Sequence, residues 1–270
     1  STFPGDTTAD FNVVSNTNLS STCNAFFNGS STNFYVEGGG CSNTSFSNVV
    51  AHELGHWLNV RYNTGNGSDG MGEGNADVYA MYTYDTPIVG EGFFGGTGQI
   101  RNGLNTRQYC GDGNGGCYGQ VHSDGEVWMG AAWKVRAALQ SNLGNVLGGQ
   151  TADQLFLGWL NGYDQTQIDS IIEIQWLTLD DDDGAIGNGT PNYAEIDSGF
   201  TAQGFPGYDL PFVVISGVTQ LPDVPDNLGP YTVQATIVAG INPPLTSAFL
   251  HYGWSGAGSF QTPMTLVGPD

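Results

Sequence analysis

The chain has 270 residues, of which 39% are hydrophobic, enough for one large globular domain or for a domain with a smaller module. Five Lys and Arg residues against 26 Asp and Glu residues give a formal net charge of -21, which excludes nucleic acid and anionic membranes as partners. No segment approaches the ~18 apolar residues of a membrane span, and the amino terminus lacks signal-peptide features. We therefore expect a processed, mature chain without a membrane span, acting as a monomer.

The excess of acidic residues has two interpretations. Charges of one sign repel each other at low ionic strength, so the protein would work where salt or divalent cations screen its carboxylates. Alternatively, the charge serves solubility alone. The sequence does not decide between the two.

The four cysteines, Cys23, Cys41, Cys110 and Cys117, include no C-x-x-C pair of the kind that binds zinc or carries redox chemistry. Two disulfides are the expected use, with three possible connectivities. The nearest neighbours lie in glycine-rich segments, which favours pairing Cys23 with Cys41 and Cys110 with Cys117. Disulfides form in oxidising compartments, so we expect a secreted, extracellular protein.

In chain order, the first predicted element is a short strand at residues 33–37, which ends at three consecutive glycines. Apolar residues at helical spacing then predict a helix over residues 47–58. A second helix is predicted over residues 72–82. These two helices contain the residues with the clearest chemistry.

The next part of the chain is predicted to be helical. Ser123 matches the first position of a capping box and begins a third helix, which ends at Gly144. Thr151 matches a second capping box, residues 168–179 form a buried helix, and Thr190 caps a last short one.

Beyond about residue 207 the sequence becomes rich in Val, Thr and Pro, with turn residues between apolar runs. These runs predict strands of a β-rich module that is at most a partial β-sandwich. We expect this module to be incomplete if the chain has been cut at Asp270. We therefore predict an α+β protein with a catalytic domain at residues 1–207 and a carboxy-terminal module at residues 208–270.

The sequence His52-Glu53-Leu54-Gly55-His56 is an H-E-x-x-H motif on the first predicted helix. Positions i and i+4 lie on one face of a helix, so both imidazoles can bind one zinc ion. With four His and seven Glu in the chain, the motif is expected by chance only ~0.0015 times. The alternative is a buried His pair with helix salt bridges.

A zinc site needs a third protein ligand, and Glu73 follows His56 by seventeen residues. Asp77 lies one helical turn beyond Glu73 and is placed to hydrogen-bond a ligand imidazole and fix its tautomer. Without the motif upstream, the two carboxylates would be interpreted as a solvated helix face. With it, they predict a His₂Glu site that has an open position for water.

Five blocks of the sequence resemble the gluzincin zinc metallopeptidases, the fungalysins more closely than the thermolysins. They include the zinc helix and the glutamate ligand, and they extend over roughly residues 23–200. Two departures are a short spacing of sixteen residues between the second histidine and the glutamate, and only 22 residues before Cys23. Either the fold is compact or an upstream part has been removed. The blocks are residues 24–27 with 34–35, 49–56, 71–77, 121–128 and 188–192.

The resemblance implies a zincin-type catalytic domain with a small sheet, an active-site helix and a mainly helical second lobe. It also implies a zinc-dependent endopeptidase that acts on polypeptide substrates. Glu53 would be the general base and His122 would face the substrate and stabilise the oxyanion. Asn24 and Ala25 would pair with an extended peptide along the edge of the cleft.

Three alternatives remain at the level of sequence. The same zinc site could belong to an exopeptidase, or the chain could be a non-catalytic extracellular binding module on a peptidase scaffold. The intact Glu53 argues against the second, because a degenerate site has no need of a base. His122 could also be merely an exposed residue that precedes a helix.

Four consecutive carboxylates, Asp180, Asp181, Asp182 and Asp183, stand before a glycine. Oxygen ligands in a loop suit calcium, and secreted gluzincins often bind it, so Ca²⁺ is the second expected cofactor beside Zn²⁺. The spacing does not match an EF-hand. A solvated acidic face is the alternative.

Overall fold

The computed structural model describes residues 13–65, 67–210, 213–219, 221, 229–239, 247–253, 259–265 and 267. Six α-helices and several small sheets in this part of the chain confirm the α+β class. The chain divides into two compact units, Ser1–Gly184 with Thr190–Tyr208, and Ala185–Gly189 with Asp209–Asp270. The first unit contains the H-E-x-x-H motif.

The first unit begins with a three-stranded sheet of β1 (Val14–Leu19), β2 (Ala25–Phe27) and β3 (Ser31–Tyr35). Its order is β1-β3-β2, with β1 parallel and β2 antiparallel to β3. The sequence predicted a single strand in this region, at residues 33–37. The structure has three strands here, and β3 begins before the predicted strand does. Polar residues such as Ser31 and Asn33 are buried here because they hydrogen-bond within the sheet, which hides the usual alternation.

Both predicted disulfides are confirmed. Cys23 pairs with Cys41 and Cys110 pairs with Cys117, closing segments with sequence separations of 18 and 7. The first joins the loop after β1 to the turn that follows β3, and the second closes a glycine-rich loop before the third helix.

Helices α1 (Ser47–Tyr62) and α2 (Met71–Tyr84) cross at very short range. A Cβ on Gly55 would come within 2.6 Å of Cα of Ala76, so only glycine allows this approach. The buried Asn59 side chain donates to the carbonyl of Gly72 and accepts from Asn75, linking the two helices. The contact brings the motif helix against the first turn of α2.

The two-residue strands β4 (Ile88–Val89) and β5 (Arg101–Asn102) pair antiparallel, and α3 (Val121–Leu143) follows them. The predicted start of this helix at Ser123 is wrong. The side chain of Gln120 accepts hydrogen bonds from the N–H groups of His122 and Ser123 and caps the helix three residues before the predicted cap. Gly144 ends α3, as predicted.

The remaining helices of the first unit are α4 (Asn145–Gly162), α5 (Ile171–Asp180) and α6 (Tyr193–Thr201). Thr151 lies inside α4 rather than at its start, and its hydroxyl donates to the carbonyl of Leu147. Thr190 is not the cap of α6, since Asn192 occupies that position. In both cases a helix starts at a residue other than the one the cap pattern indicated.

The core of the first unit is built around Trp128 on α3, which is fully buried. Its ring lies 5.1 Å from that of Trp159, 5.5 Å from Trp176 and 5.9 Å from Phe200. The indole N–H of Trp128 donates to Oδ1 of Asn75 at 2.8 Å. The core is thereby joined to the asparagine pair between α1 and α2.

In the second unit, β6 (Val213–Ser216) pairs antiparallel with β7 (Thr236–Ala239), and β8 (Phe249–Tyr252) with β9 (Phe260–Pro263). These pairs agree with the predicted strands. The predicted partial β-sandwich and the predicted cut at Asp270 both involve residues outside the described ranges. In the described part of the chain, no helix is both long and apolar enough to cross a membrane.

Candidate metal and active site

His52 and His56 lie one turn apart on α1 and meet Glu73 from the first turn of α2. Oε2 of Glu73 is 3.3 Å from Nε2 of His52 and 3.6 Å from Nε2 of His56. The structure therefore brings together the three residues that the sequence predicted as ligands.

The spacing of these atoms fits a zinc ion. Four ligands at ~2.0–2.2 Å around a tetrahedral centre lie ~3.3–3.6 Å from one another, and the observed distances fall in this range. Oε2 of Glu73 is buried and has no hydrogen-bond partner, although imidazole nitrogens surround it. A buried carboxylate oxygen needs positive charge beside it, which a protonated His52 supplies in the absence of a metal and which a bound cation would supply in its place.

Asp77 and Arg101 set the orientation of His52. Oδ1 of Asp77 lies 2.8 Å from Nδ1 of His52, and the Arg101 guanidinium binds both Asp77 oxygens, at 2.6 and 2.7 Å. Asp77 is completely buried. Because this carboxylate accepts from Nδ1–H of His52, the neutral imidazole has its lone pair on Nε2, which faces Glu73 as metal binding requires.

The electrostatics without a metal show how strongly the carboxylates act on the histidines. Burial would lower the pKa of His52, but the Asp77 and Glu73 carboxylates raise it to about 10. Burial and the neighbouring His52 lower the pKa of His56 to about 4. Burial opposes ionisation of Glu73, yet the three surrounding histidines hold its pKa at about 2. Without a metal, the proton on His52 therefore balances the charge of Glu73, and a divalent cation bound there would replace that proton.

Glu53 stands between the two histidines in the sequence and lies in the same cleft. It is only 4% exposed, and its Oε2 has no hydrogen-bond partner. Burial raises its pKa to about 7, against the opposing charge of His52. A carboxylate in such surroundings is a good proton acceptor near neutral pH.

His122 also lies at this site. The sequence predicted it just before the third helix, whereas the structure has it inside the first turn of α3. Its Nε2 is 3.3 Å from Oε2 of Glu73, and its side chain is partly exposed to the cleft. Burial and the positive charges of Arg101 and His52 lower its pKa against the opposing charge of Glu73, which favours the neutral imidazole. A neutral imidazole can still donate one hydrogen bond.

The cleft in front of these groups has a volume of about 520 Å³. Its lining includes Asn24, Ala25, Phe26 and Phe27, the residues of β2 and the one before it. β2 pairs with β3 on one side, and within the described residues no strand pairs with its other side. The predicted substrate-contacting residues thus lie on an edge strand beside the candidate metal site.

The predicted calcium residues separate into two groups. Asp181, Asp182 and Asp183 have carboxylate oxygens close enough together to hold a cation. Asp180 is not part of this group, because its oxygens accept hydrogen bonds from Thr190 and from the backbone and side chain of Asn192, each at 2.6 Å. Calcium binding remains a prediction.

Two residues at the site were not found from the sequence. Arg101 is on a two-residue strand in a glycine-rich stretch, 49 positions from His52, and no motif marks it. Gln120 was missed because glutamine is an unusual capping residue. The scarcity of Arg in the chain was the one available signal for Arg101.

Comparison with known proteins gives no independent assignment. No protein-family model matches this chain, and no curated protein is similar to it in sequence. The resemblance to gluzincin peptidases therefore rests on the sequence motifs alone.

Proposed function

We propose that this protein is a secreted, zinc-dependent endopeptidase of the fungalysin-like gluzincin kind. The observation that carries the proposal is the convergence of His52, His56 and Glu73 at the distances of a tetrahedral zinc site, with the buried Glu53 beside them. The two disulfides support an extracellular location.

A zinc ion bound by the two histidines and Glu73 would act as a Lewis acid on water and on a peptide carbonyl. Glu53 accepts the proton of the attacking water and passes it to the nitrogen of the leaving amine. His122 donates a hydrogen bond from Nε2 to the carbonyl oxygen as negative charge develops there. Asp77, held by Arg101, keeps His52 in the tautomer that leaves Nε2 free.

The edge strand supports an endopeptidase. An extended peptide can pair through its main chain with the side of β2 that no described strand occupies, which requires residues on both sides of the cleaved bond and tolerates many sequences. An exopeptidase would instead need a group that binds a free terminus close to the metal.

The test is incubation of the zinc-loaded protein with an unfolded polypeptide, with and without a chelator, followed by mass spectrometry. We expect internal cleavages that the chelator abolishes and that added zinc restores. Release of terminal residues alone would favour an exopeptidase. An intact substrate with a stoichiometrically zinc-loaded protein would contradict both and favour a binding module.

A further inference from the structure

Gln120 makes two kinds of contact at the start of α3. Its Oε1 accepts hydrogen bonds from the backbone N–H groups of His122, at 2.8 Å, and Ser123, at 3.1 Å. A backbone N–H can only donate, so these bonds establish which end of the amide is oxygen. The amide nitrogen lies 2.5 Å from Nδ1 of His122.

The direction of this last hydrogen bond follows from chemistry. An amide nitrogen donates and does not accept, so Nδ1 of His122 must be the acceptor. A neutral imidazole that accepts at Nδ1 carries its hydrogen on Nε2. Nε2 is the atom that lies 3.3 Å from Oε2 of Glu73, on the side of the cleft.

We propose that Gln120 is a positioning residue that holds His122 in the Nε2–H tautomer, so that a hydrogen-bond donor faces the reacting carbonyl oxygen. The role of this tautomer in catalysis rests on the proposed function, whereas the assignment of the tautomer rests on the hydrogen bonds of Gln120 alone.

Helix capping alone does not explain the residue. A cap needs only an oxygen, which Ser, Thr, Asp or Asn provides more commonly. The longer glutamine side chain supplies the same oxygen and also turns its NH₂ group towards the imidazole. A glutamate at this position would keep the cap but reverse the second bond, because a carboxylate only accepts and would require a hydrogen on Nδ1.

Nitrogen NMR of the protein labelled with ¹⁵N-histidine tests the tautomer directly. The chain has four histidines, so the spectrum is simple, and His122→Ala identifies the relevant signals. At about pH 7.5 we expect an unprotonated Nδ1 and a protonated Nε2 in the parent, and a protonated Nδ1 in Gln120→Glu. A protonated Nδ1 in the parent, or an unprotonated one in Gln120→Glu, would overturn the proposal. The measurement needs no hydrolysis, so it is decisive even if the protein is not a peptidase.

A double-mutant cycle then separates positioning from helix capping. Gln120→Met removes both kinds of hydrogen bond, and we expect kcat for a model peptide to fall by at least ~10-fold with KM within about twofold. In the His122→Ala background, the same change should alter kcat by less than about twofold, because the residue it positions is gone. Equal losses in both backgrounds would show a purely structural role and refute the proposal.

Discussion

At the scale of single residues, the surroundings of Glu53 suit it to proton transfer rather than to structure. It is buried and one of its oxygens has no partner, so it adds little to the stability of the fold in its present state. Its neighbours in the motif, His52 and His56, are two of the three candidate metal ligands. The proposed chemistry gives this otherwise unfavourable burial a reason.

Glu53→Gln is expected to keep zinc and fold but to lower kcat/KM by ~10²- to 10⁴-fold, because the proton acceptor is lost while the ligands stay. Zinc content by elemental analysis and cleavage of a quenched fluorescent peptide measure the two effects. The matched control is Glu91→Gln, at an exposed glutamate between β4 and β5, which should behave like the parent. Near-parental activity of a zinc-replete Glu53→Gln would rule out the assigned base.

Glu173 has no place in the proposed chemistry, yet it is 1% exposed. Its Oε1 accepts from the N–H of Tyr208 at 3.2 Å. Burial and the nearby Asp197 carboxylate raise the pKa of Glu173 to about 8. The folded state therefore favours the protonated form.

The sign of the resulting pH dependence can be worked out. Below the ordinary pKa of 4.5 the residue is protonated in both folded and unfolded states and has no effect on the pH dependence. As pH rises from there to about 8, only the unfolded state releases the proton, and stability falls by up to ~1.4 kcal/mol per pH unit. We expect Glu173→Gln to raise Tm relative to the parent by an amount that grows between these limits and then levels off. A Tm difference that is constant with pH would contradict this.

At the scale of elements, the candidate metal site depends on how closely α1 approaches α2, since each helix supplies part of the ligand set. Gly55 lies inside the H-E-x-x-H motif and faces the backbone of Ala76. Gly55, a variable position of the motif, thus allows the helix contact that brings Glu73 to the histidines.

Gly55→Ala should force the helices apart, because the added Cβ would lie 2.6 Å from Cα of Ala76. We expect a loss of ~1–3 kcal/mol in the free energy of unfolding, typical of overpacking, and a weaker zinc affinity. Denaturant titration and competition with a zinc indicator measure these. The control is Gly162→Ala at the end of α4, where a Cβ meets no atom within 4 Å. If both variants bound zinc like the parent, the helix contact would not determine the site.

The elements that sequence could predict are those defined by local patterns. Helices α1 and α2, the proximity of Glu73 to the two motif histidines and both disulfides follow from spacings of fewer than twenty residues. The parallel pairing of β1 with β3 could not be predicted, because it joins separate segments whose polar residues show no alternation. Arg101 was missed for the same reason, since only the tertiary fold brings it to Asp77. Helix starts were wrong where a glutamine or an asparagine replaced the expected cap.

At the scale of the whole molecule, charge is the dominant property. All five Lys and Arg residues lie in the first unit, together with 22 of the 26 Asp and Glu residues. Among the described residues of this unit, Arg101 forms an ion pair with Asp77, Arg107 with Glu126, and Arg136 with Asp85 and Asp153. Lys134 donates to Asn105 and Gln203. Most of the positive charge is therefore neutralised locally, and the field outside the unit is negative.

This field should discriminate between substrates by charge before they reach the cleft. We expect kcat/KM for a lysine-rich peptide to exceed that of a glutamate-rich peptide with the same cleavage site by at least ~10-fold at low ionic strength. The Debye length falls from ~30 Å at 0.01 M salt to ~3 Å at 1 M. Added salt should therefore lower kcat/KM for the lysine-rich peptide and raise it for the glutamate-rich peptide until the two converge. A neutral peptide of the same length is the control, and its rate should change little. If all three peptides responded to salt alike, the acidic surface would serve solubility alone, whereas a preference for lysine that persisted at 1 M would indicate a specific subsite rather than the long-range field.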